Sequence, residues 1–272
     1  MRTHFLGLDL AWGEGSVANA ANETGVAAID GTGQVLAAGW TRGLDETVAW
    51  VSSLGEPDAL MAVDAPLVVR NASGQRLCER QVGQRYGRWQ VSANSTNLGT
   101  PRLAGVALLK RLVEHGWRYA DCSSGPPASG RAVFECYPYT TLVGAEELGY
   151  DEERPRYKRR PKAVPVTAWR SVRAAACDQL LQRLRNLETA DPPLLLASHP
   201  LTAALLQEKS PVGDAAYKHR EDLMDALLCA WTASLLSRHG LSRCQVLGLT
   251  DEEPGPQATI VAPARPEQRL PG

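Results

Sequence analysis

At 272 residues, with 44% hydrophobic and 22% charged residues and a formal net charge of −1, the chain has ordinary globular composition and room for one large α/β domain or two small ones. The near-neutral balance excludes a bulk electrostatic pull toward nucleic acid, so a polyanion would have to be held by a local patch. No sustained apolar stretch of roughly 18 residues is present and the six cysteines form no C-x-x-C pair, which predicts a soluble, cytoplasmic protein without membrane contact, zinc knuckle or disulfide framework.

The chain opens on His4-Phe5-Leu6-Gly7-Leu8-Asp9-Leu10-Ala11-Trp12-Gly13, a short apolar run that reads as a strand buried on both faces. Asp9 at its carboxyl end is the anomaly, because an ionised carboxylate there must be paired, hydrogen-bonded or holding a metal. Two apolar runs follow over 24–29 and 34–40. The intervening Asp30-Gly31-Thr32-Gly33 predicts a hairpin, so three antiparallel strands open the fold. A helix is predicted over 44–54, then a second buried strand over 59–67 with Asp64 near its end and Pro66 stopping it.

The arginine-rich stretch 68–86 reads as a loop leading into a short helix, 92–101 as irregular, 102–115 as an amphipathic helix and 123–130 as a surface loop. A third apolar strand, 131–138, carries Glu135. The run 151–165 is the one dense basic segment, and its three prolines preclude a stable helix through it. Thr167 is placed to cap a long helix through about 187, a shorter helix spans 200–208, and a last long one runs from 219 to Gly240. Residues 257–262 read as a terminal edge strand. The organisation predicted is one domain over 1–263 with a basic insertion near 151–165, and a disordered tail over 264–272.

The carboxylates at strand ends are the chemistry. Asp222 and Asp225 are three apart on the last helix and share a face, with His219 a turn back, near what reads as the helix N-terminal turn. In open α/β sheets sites form at the carboxyl ends of strands. Two unit charges about 5 Å apart repel by roughly 3 kcal/mol at an effective dielectric of 20, so a convergence of Asp9, Asp64, Glu135, Asp222 and Asp225 demands shared protons or divalent cations. An all-oxygen set favours Mg²⁺ or Mn²⁺, the ions used in phosphodiester displacement. The plainer alternative is that Glu221 and Asp222 favour the helix dipole and Asp64 caps a turn. Among cations, Lys158 with Arg156, Arg159 and Arg160 suits a phosphate backbone or a solvated loop, Arg76 and Arg80 suit phosphate or pairing with nearby acids, and His219 suits a leaving group or a helix-capping or surface place. Trp89, beside Tyr86, Arg85 and Arg88, is the tryptophan best placed by sequence for base stacking.

The order strand-Asp9, hairpin, third strand, helix, strand-Asp64 and closing helix with Asp222-x-x-Asp225-Ala226-Leu227 resembles the RNase H-like (retroviral integrase-like) superfamily, its helix motif that of RuvC-type resolvases. Gly7-Leu8-Asp9-Leu10-Ala11, Val63-Asp64-Ala65-Pro66-Leu67, Arg76-Leu77-Cys78-Glu79, Phe134-Glu135-Cys136-Tyr137-Pro138, Tyr157-Lys158 and Asp222-Leu223-Met224-Asp225-Ala226 together resemble the DUF429 family of predicted RNase H-like nucleases, over about residues 4–263. The resemblance implies an RNase H-like mixed five-stranded sheet flanked by helices and a metal-dependent nuclease centre. Asp9 matches the first-strand metal ligand, Asp64 the fourth-strand ligand, and Asp225 with Asp222 the helix carboxylates. Glu135 matches a fifth-strand position, as ligand or organiser, and Glu79 stands where the family pattern favours Asp.

These observations lead to the expectation of a Mg²⁺- or Mn²⁺-dependent nuclease or phosphodiesterase acting on DNA or RNA, with metal ligands Asp9, Asp64 and Asp225, further catalytic carboxylates Glu135 and Asp222, and substrate contacts from Arg76, Lys158 and His219. Two readings of other classes stand beside it. One is an actin- or sugar-kinase-like phosphotransferase, against which the stretch after Asp9 lacks a glycine-threonine phosphate hairpin. The other is a non-catalytic module that binds nucleic acid or protein through its basic run.

Overall fold

The computed structural model describes residues 4–13, 21–54, 56–250 and 255–269. Strands β1 (His4–Asp9), β2 (Glu23–Asp30) and β3 (Val35–Arg42) form the expected antiparallel meander. Its hairpin is closed by Asp30, whose Oδ1 accepts the N–H groups of Thr32 and Gln34 at 2.8 and 3.0 Å, with Gly33 at φ +84°. The chain then crosses through α1 (Gly43–Ser53) to β4 (Ala59–Val63), which pairs parallel with β1. After α2 (Leu77–Tyr86) and α3 (Ala104–Glu114) come β5 (Arg118–Tyr119) and β6 (Ala132–Glu135), and the strand order is β3-β2-β1-β4-β6-β5.

The fold is therefore mixed α/β, antiparallel then parallel, as expected, but its main sheet has six strands and not five. The extra strand, β5, is two residues long at the sheet edge, too short to show an alternating pattern. Helix α4 (Pro138–Gly144) was equally hidden in sequence: every residue in it is buried, so no polar face marks its period. Helices α5 (Val166–Leu184), α6 (Pro200–Gln207) and α7 (Asp214–His239) follow. Thr167 lies inside α5, behind Pro165, and caps nothing. The terminal strand β8 (Ile260–Pro263) pairs with β7 (Cys244–Leu247) in a separate ribbon instead of extending the main sheet. The tail expected to be disordered is packed over 264–269: Arg265 is buried and donates to the carbonyls of Val143 and Tyr150 at 2.7 and 2.8 Å. Residues 270–272 lie outside the described residues.

Strand alternation divides the core in two. Leu6, Leu8, Val26, Ala28, Met61, Val63 and Val133 face α1 and α3, whereas Phe5, Ala27, Ile29, Leu60, Ala62, Ala132 and Phe134 face α7. Helix α7 is buried on all sides over most of its length, held from beyond by Thr141 to Thr232 at 2.8 Å and by Trp231 Nε1 to the Pro192 carbonyl at 2.9 Å. It lies directly on strand backbone. A Cβ on Gly7 would sit 1.9 Å from the Ala226 oxygen, and one on Gly25 2.0 Å from that of Asp222. Only glycine permits that approach. All six cysteines are buried and free, and no described helix is long and apolar enough to cross a membrane.

Candidate metal centre

Three independent features bring the acids together. In β1, Phe5, Gly7 and Asp9 share the face toward α7. In register, Leu8 pairs with Val63, and the Asp64 N–H donates to the Leu8 carbonyl at 2.8 Å, so Asp64 follows β4 on the same side as Leu60 and Ala62. Gly25 is the β2 partner of Asp9, and its missing side chain lets the Asp222 backbone down onto the sheet there, with Asp225 one turn further along. One carboxylate oxygen from each of Asp9, Asp64 and Asp225 lies within 4.8 Å of the others.

Asp9 and Asp64 floor a pocket of about 300 Å³ at the carboxyl end of the sheet, walled by Glu23, Glu221, Asp222, Lys158 and Lys218, with Trp12, Asn94 and Arg159 at its rim; Asp225, fully buried, meets this wall through Lys158. Two ammonium groups reach into it. Lys158 contacts Asp225 Oδ2 and stands 3.8 Å from Glu221. Lys218 contacts Asp222 and stands 3.2 Å from Glu221 and 3.9 Å from Asp9. Tyr157 donates its hydroxyl to Asp225 Oδ1 at 2.9 Å. Asp9 Oδ2 and Asp225 Oδ2 are buried, and neither receives a hydrogen bond of good geometry, even with a lysine nearby.

Burial and mutual repulsion set the electrostatics. Desolvation first, then the Asp9 charge, push Asp64 well above the usual carboxylate range and Asp222 up to about 9. Asp225 rises to about 7, with desolvation as the main cause and Lys158 pulling against it. Burial opposes the charge on Lys158, but Asp225, Asp9, Glu221 and Asp64 outweigh it and hold the ammonium protonated.

Helix α7 begins five residues before His219, so Asp222 and Asp225 sit two to three turns inside it and not in its first turn. The macrodipole, which acts within a terminal turn, leaves them unassisted. Lys218, Glu221, Asp222 and Asp225 follow the spacing of one helix face; Lys218 and Glu221 were legible from that spacing, whereas Tyr157 was marked only by the Tyr157-Lys158 motif of the resemblance, without a role. His219 is turned off that face. Its ring stacks on Trp40 at 3.4 Å, and its Nδ1 lies 2.7 Å from Glu23, whose carboxyl it lowers.

Glu135 is not among the converging carboxylates. It follows Val133 in strand alternation and so faces away from α7, where Arg76 holds it through two contacts of 2.8 and 2.6 Å and the Leu67 N–H donates at 3.1 Å. Arg76, expected to meet phosphate, is buried there, and its Nε donates to Glu79 at 2.8 Å. Glu79 Oε2 also accepts the N–H groups of Arg76 and Thr96, each at 3.0 Å, which gives the Arg76-Leu77-Cys78-Glu79 motif a structural role. Burial leaves Glu135 above its ordinary range despite the guanidinium, while Glu135 raises Arg76 against its own desolvation. The two-point contact makes this a charged pair.

The basic run is spent mostly on itself. Arg156 pairs with Glu153 at 2.8 Å, Arg160 donates to the Val164 carbonyl at 2.6 Å, and Arg159 reaches Asn94 at 2.7 Å, so Lys158 and Arg159 alone of the four line the pocket. Trp89 is 1% exposed and carries Arg88 over its ring, which excludes base stacking. The tryptophan at the pocket mouth is Trp12, 37% exposed.

No curated protein and no solved structure matches the chain. The sequence model of one family, described as a protein of unknown function (DUF429), matches residues 7–246, and the chain belongs to that family.

Proposed function

We propose that the pocket is the divalent-metal centre of an RNase H-like nuclease or phosphodiesterase that acts on DNA or RNA. The observation that carries the reading is the meeting of carboxylate oxygens from β1, the end of β4 and α7 within 4.8 Å, two of the three residues having a buried oxygen with no hydrogen bond. The donor set fits the ion: all ligands are oxygen, and no histidine or cysteine joins them, as Mg²⁺ or Mn²⁺ prefers. Asp9, Asp64 and Asp225 would hold it. Such an ion, when bound, lowers the pKa of an attacking water and stabilises charge on phosphoryl oxygens.

The chain's own groups do the rest. Tyr157 fixes the rotation of Asp225 through Oδ1, leaving Oδ2 toward Lys158 and the other two acids. Lys158 and Lys218 offset part of the carboxylate charge. Arg159 and Trp12 offer a phosphate contact and an exposed indole face at the rim, so an unpaired base beside the reacting phosphate suits the opening. The net charge of −1 suits a short or structured substrate better than long nonspecific duplex.

The test is cleavage of labelled single- and double-stranded DNA and RNA oligonucleotides with Mn²⁺, Mg²⁺ or EDTA. We expect metal-dependent cleavage that Asp9→Asn abolishes while its melting temperature holds or rises. Cleavage retained in that variant, or undiminished in EDTA, overturns the proposal.

A further inference from the structure

Among the described residues, Asp9, Asp64, Glu221, Asp222 and Asp225 crowd around two ammonium groups, which share Glu221 and otherwise take different carboxylates. Lys158 lies against Asp225, a member of the converging triad. Lys218 lies against Asp222 and Glu221, the two carboxylates outside the triad, and reaches within 3.9 Å of Asp9, which borders both groups. On the reading proposed above, the triad takes one divalent ion. A second ion of a two-ion centre would need Asp222 and the free side of Asp9, where Lys218 already stands.

The two lysines differ in how firmly they are placed. Lys158 comes from the irregular segment between α4 and α5, which has no backbone ladder to hold it against the triad. Lys218 is one turn from both its partners on the same helix, three residues from Glu221 and four from Asp222, so its ion pairs form locally whenever α7 is folded. An ion entering the triad displaces Lys158 by moving one side chain on a loop. An ion entering beside Asp222 must break an interaction built into the helix.

From this asymmetry, and resting on the metal reading, we infer that the centre binds one divalent ion and that the Lys218 ammonium occupies the place of a second. Asp9 Oδ2, buried and without a hydrogen bond, is the oxygen that the Lys218 ammonium faces at 3.9 Å, so the ammonium stands where a second ion would meet Asp9.

The experiment counts ions. Full-length protein, stripped of metal, is titrated with Mn²⁺ by calorimetry, and bound Mn²⁺ is counted independently by electron paramagnetic resonance. The expected stoichiometry is one for wild type and for Lys218→Arg, two for Lys218→Met, and none for Asp9→Asn. The Lys218 side chain is 58% exposed, so its replacement leaves the core intact. Two ions in wild type, or one ion still in Lys218→Met, overturns this inference and leaves the metal centre standing. No ion in wild type overturns both together.

Discussion

Two buried ionic clusters sit at the same end of the same sheet, on opposite faces, and they are finished to different degrees. In the Arg76 cluster each glutamate is held at both oxygens: Glu135 by the guanidinium with the Leu67 N–H, Glu79 by the guanidinium with the N–H groups of Arg76 and Thr96. In the Asp9 cluster Asp9, Asp64, Glu221, Asp222 and Asp225 face two ammonium groups, and Asp9 and Asp225 each keep a buried oxygen without a hydrogen bond. A closed network of this kind braces a fold, because every buried charge has its partners. An open one costs stability, and that cost points to a ligand that the polypeptide alone does not supply.

Breaking the closed cluster should have the largest effect on stability. Arg76→Met leaves Glu79 and Glu135 buried without their cation, and loss of one side of such a network costs about 3–5 kcal/mol. Urea unfolding should show that loss with an unchanged slope. A loss under about 1 kcal/mol would mean that the cluster relaxes and is no brace. The open cluster should answer with the opposite sign. Asp9→Asn removes one charge from a triad whose oxygens lie within 4.8 Å, and at an effective dielectric of 20 each repulsion between full charges at that distance is about 3.5 kcal/mol. Metal-free Asp9→Asn should therefore melt at or above the wild-type temperature, and a clear drop would put Asp9 among the bracing residues.

How much of this was readable beforehand follows from the kind of signal each feature carries. Asp9 and Asp64 were visible as carboxylates closing apolar strands, and Asp225 through its spacing from Asp222, because strand ends and helix faces are local patterns. Glu135 closes an apolar strand equally well, but its face depends on parity within β6, and a shift of one residue decides between the two clusters. Charge alone left Arg76 open between phosphate and a nearby acid, and Lys158 between phosphate and solvent. Their actual partners are 59 and 67 residues away in sequence, a pairing that only the folded topology defines. The glycines that seat α7 on the sheet, Gly7 and Gly25, were likewise silent, since a glycine in a strand does not announce what approaches it.

The two clusters also differ in how they should respond to pH. Asp225 and Asp222 are raised from an ordinary value of 3.8 to about 7 and about 9. Groups raised on folding favour the folded state fully below about pH 4, and that contribution is lost as pH climbs through the folded-state values. Metal-free protein should accordingly lose melting temperature between pH 5 and about pH 9. Saturating Mn²⁺ should flatten or reverse the slope by taking the place of the protons. An apo melting temperature that rises steadily over that range would contradict the assignment of the carboxylates as crowded and only partly neutralised by the two lysines.

The smallest effect separates bracing from ligand positioning inside the open cluster itself. Tyr157→Phe deletes one hydroxyl and keeps the ring, which packs edge-on against Tyr139 at 5.4 Å. The lost hydrogen bond to Asp225 Oδ1 is worth about 1 kcal/mol of stability. If Tyr157 serves only the fold, that modest loss is the whole effect and Mn²⁺ affinity is unchanged. If it fixes the rotation of Asp225 toward the pocket, Mn²⁺ binding by calorimetry should weaken several-fold beyond the change in stability, because Asp225 must then be ordered by the ion. Metal affinity measured well below the melting transition distinguishes the two, since there the folded fraction of both proteins is essentially complete and only the orientation of the ligand differs.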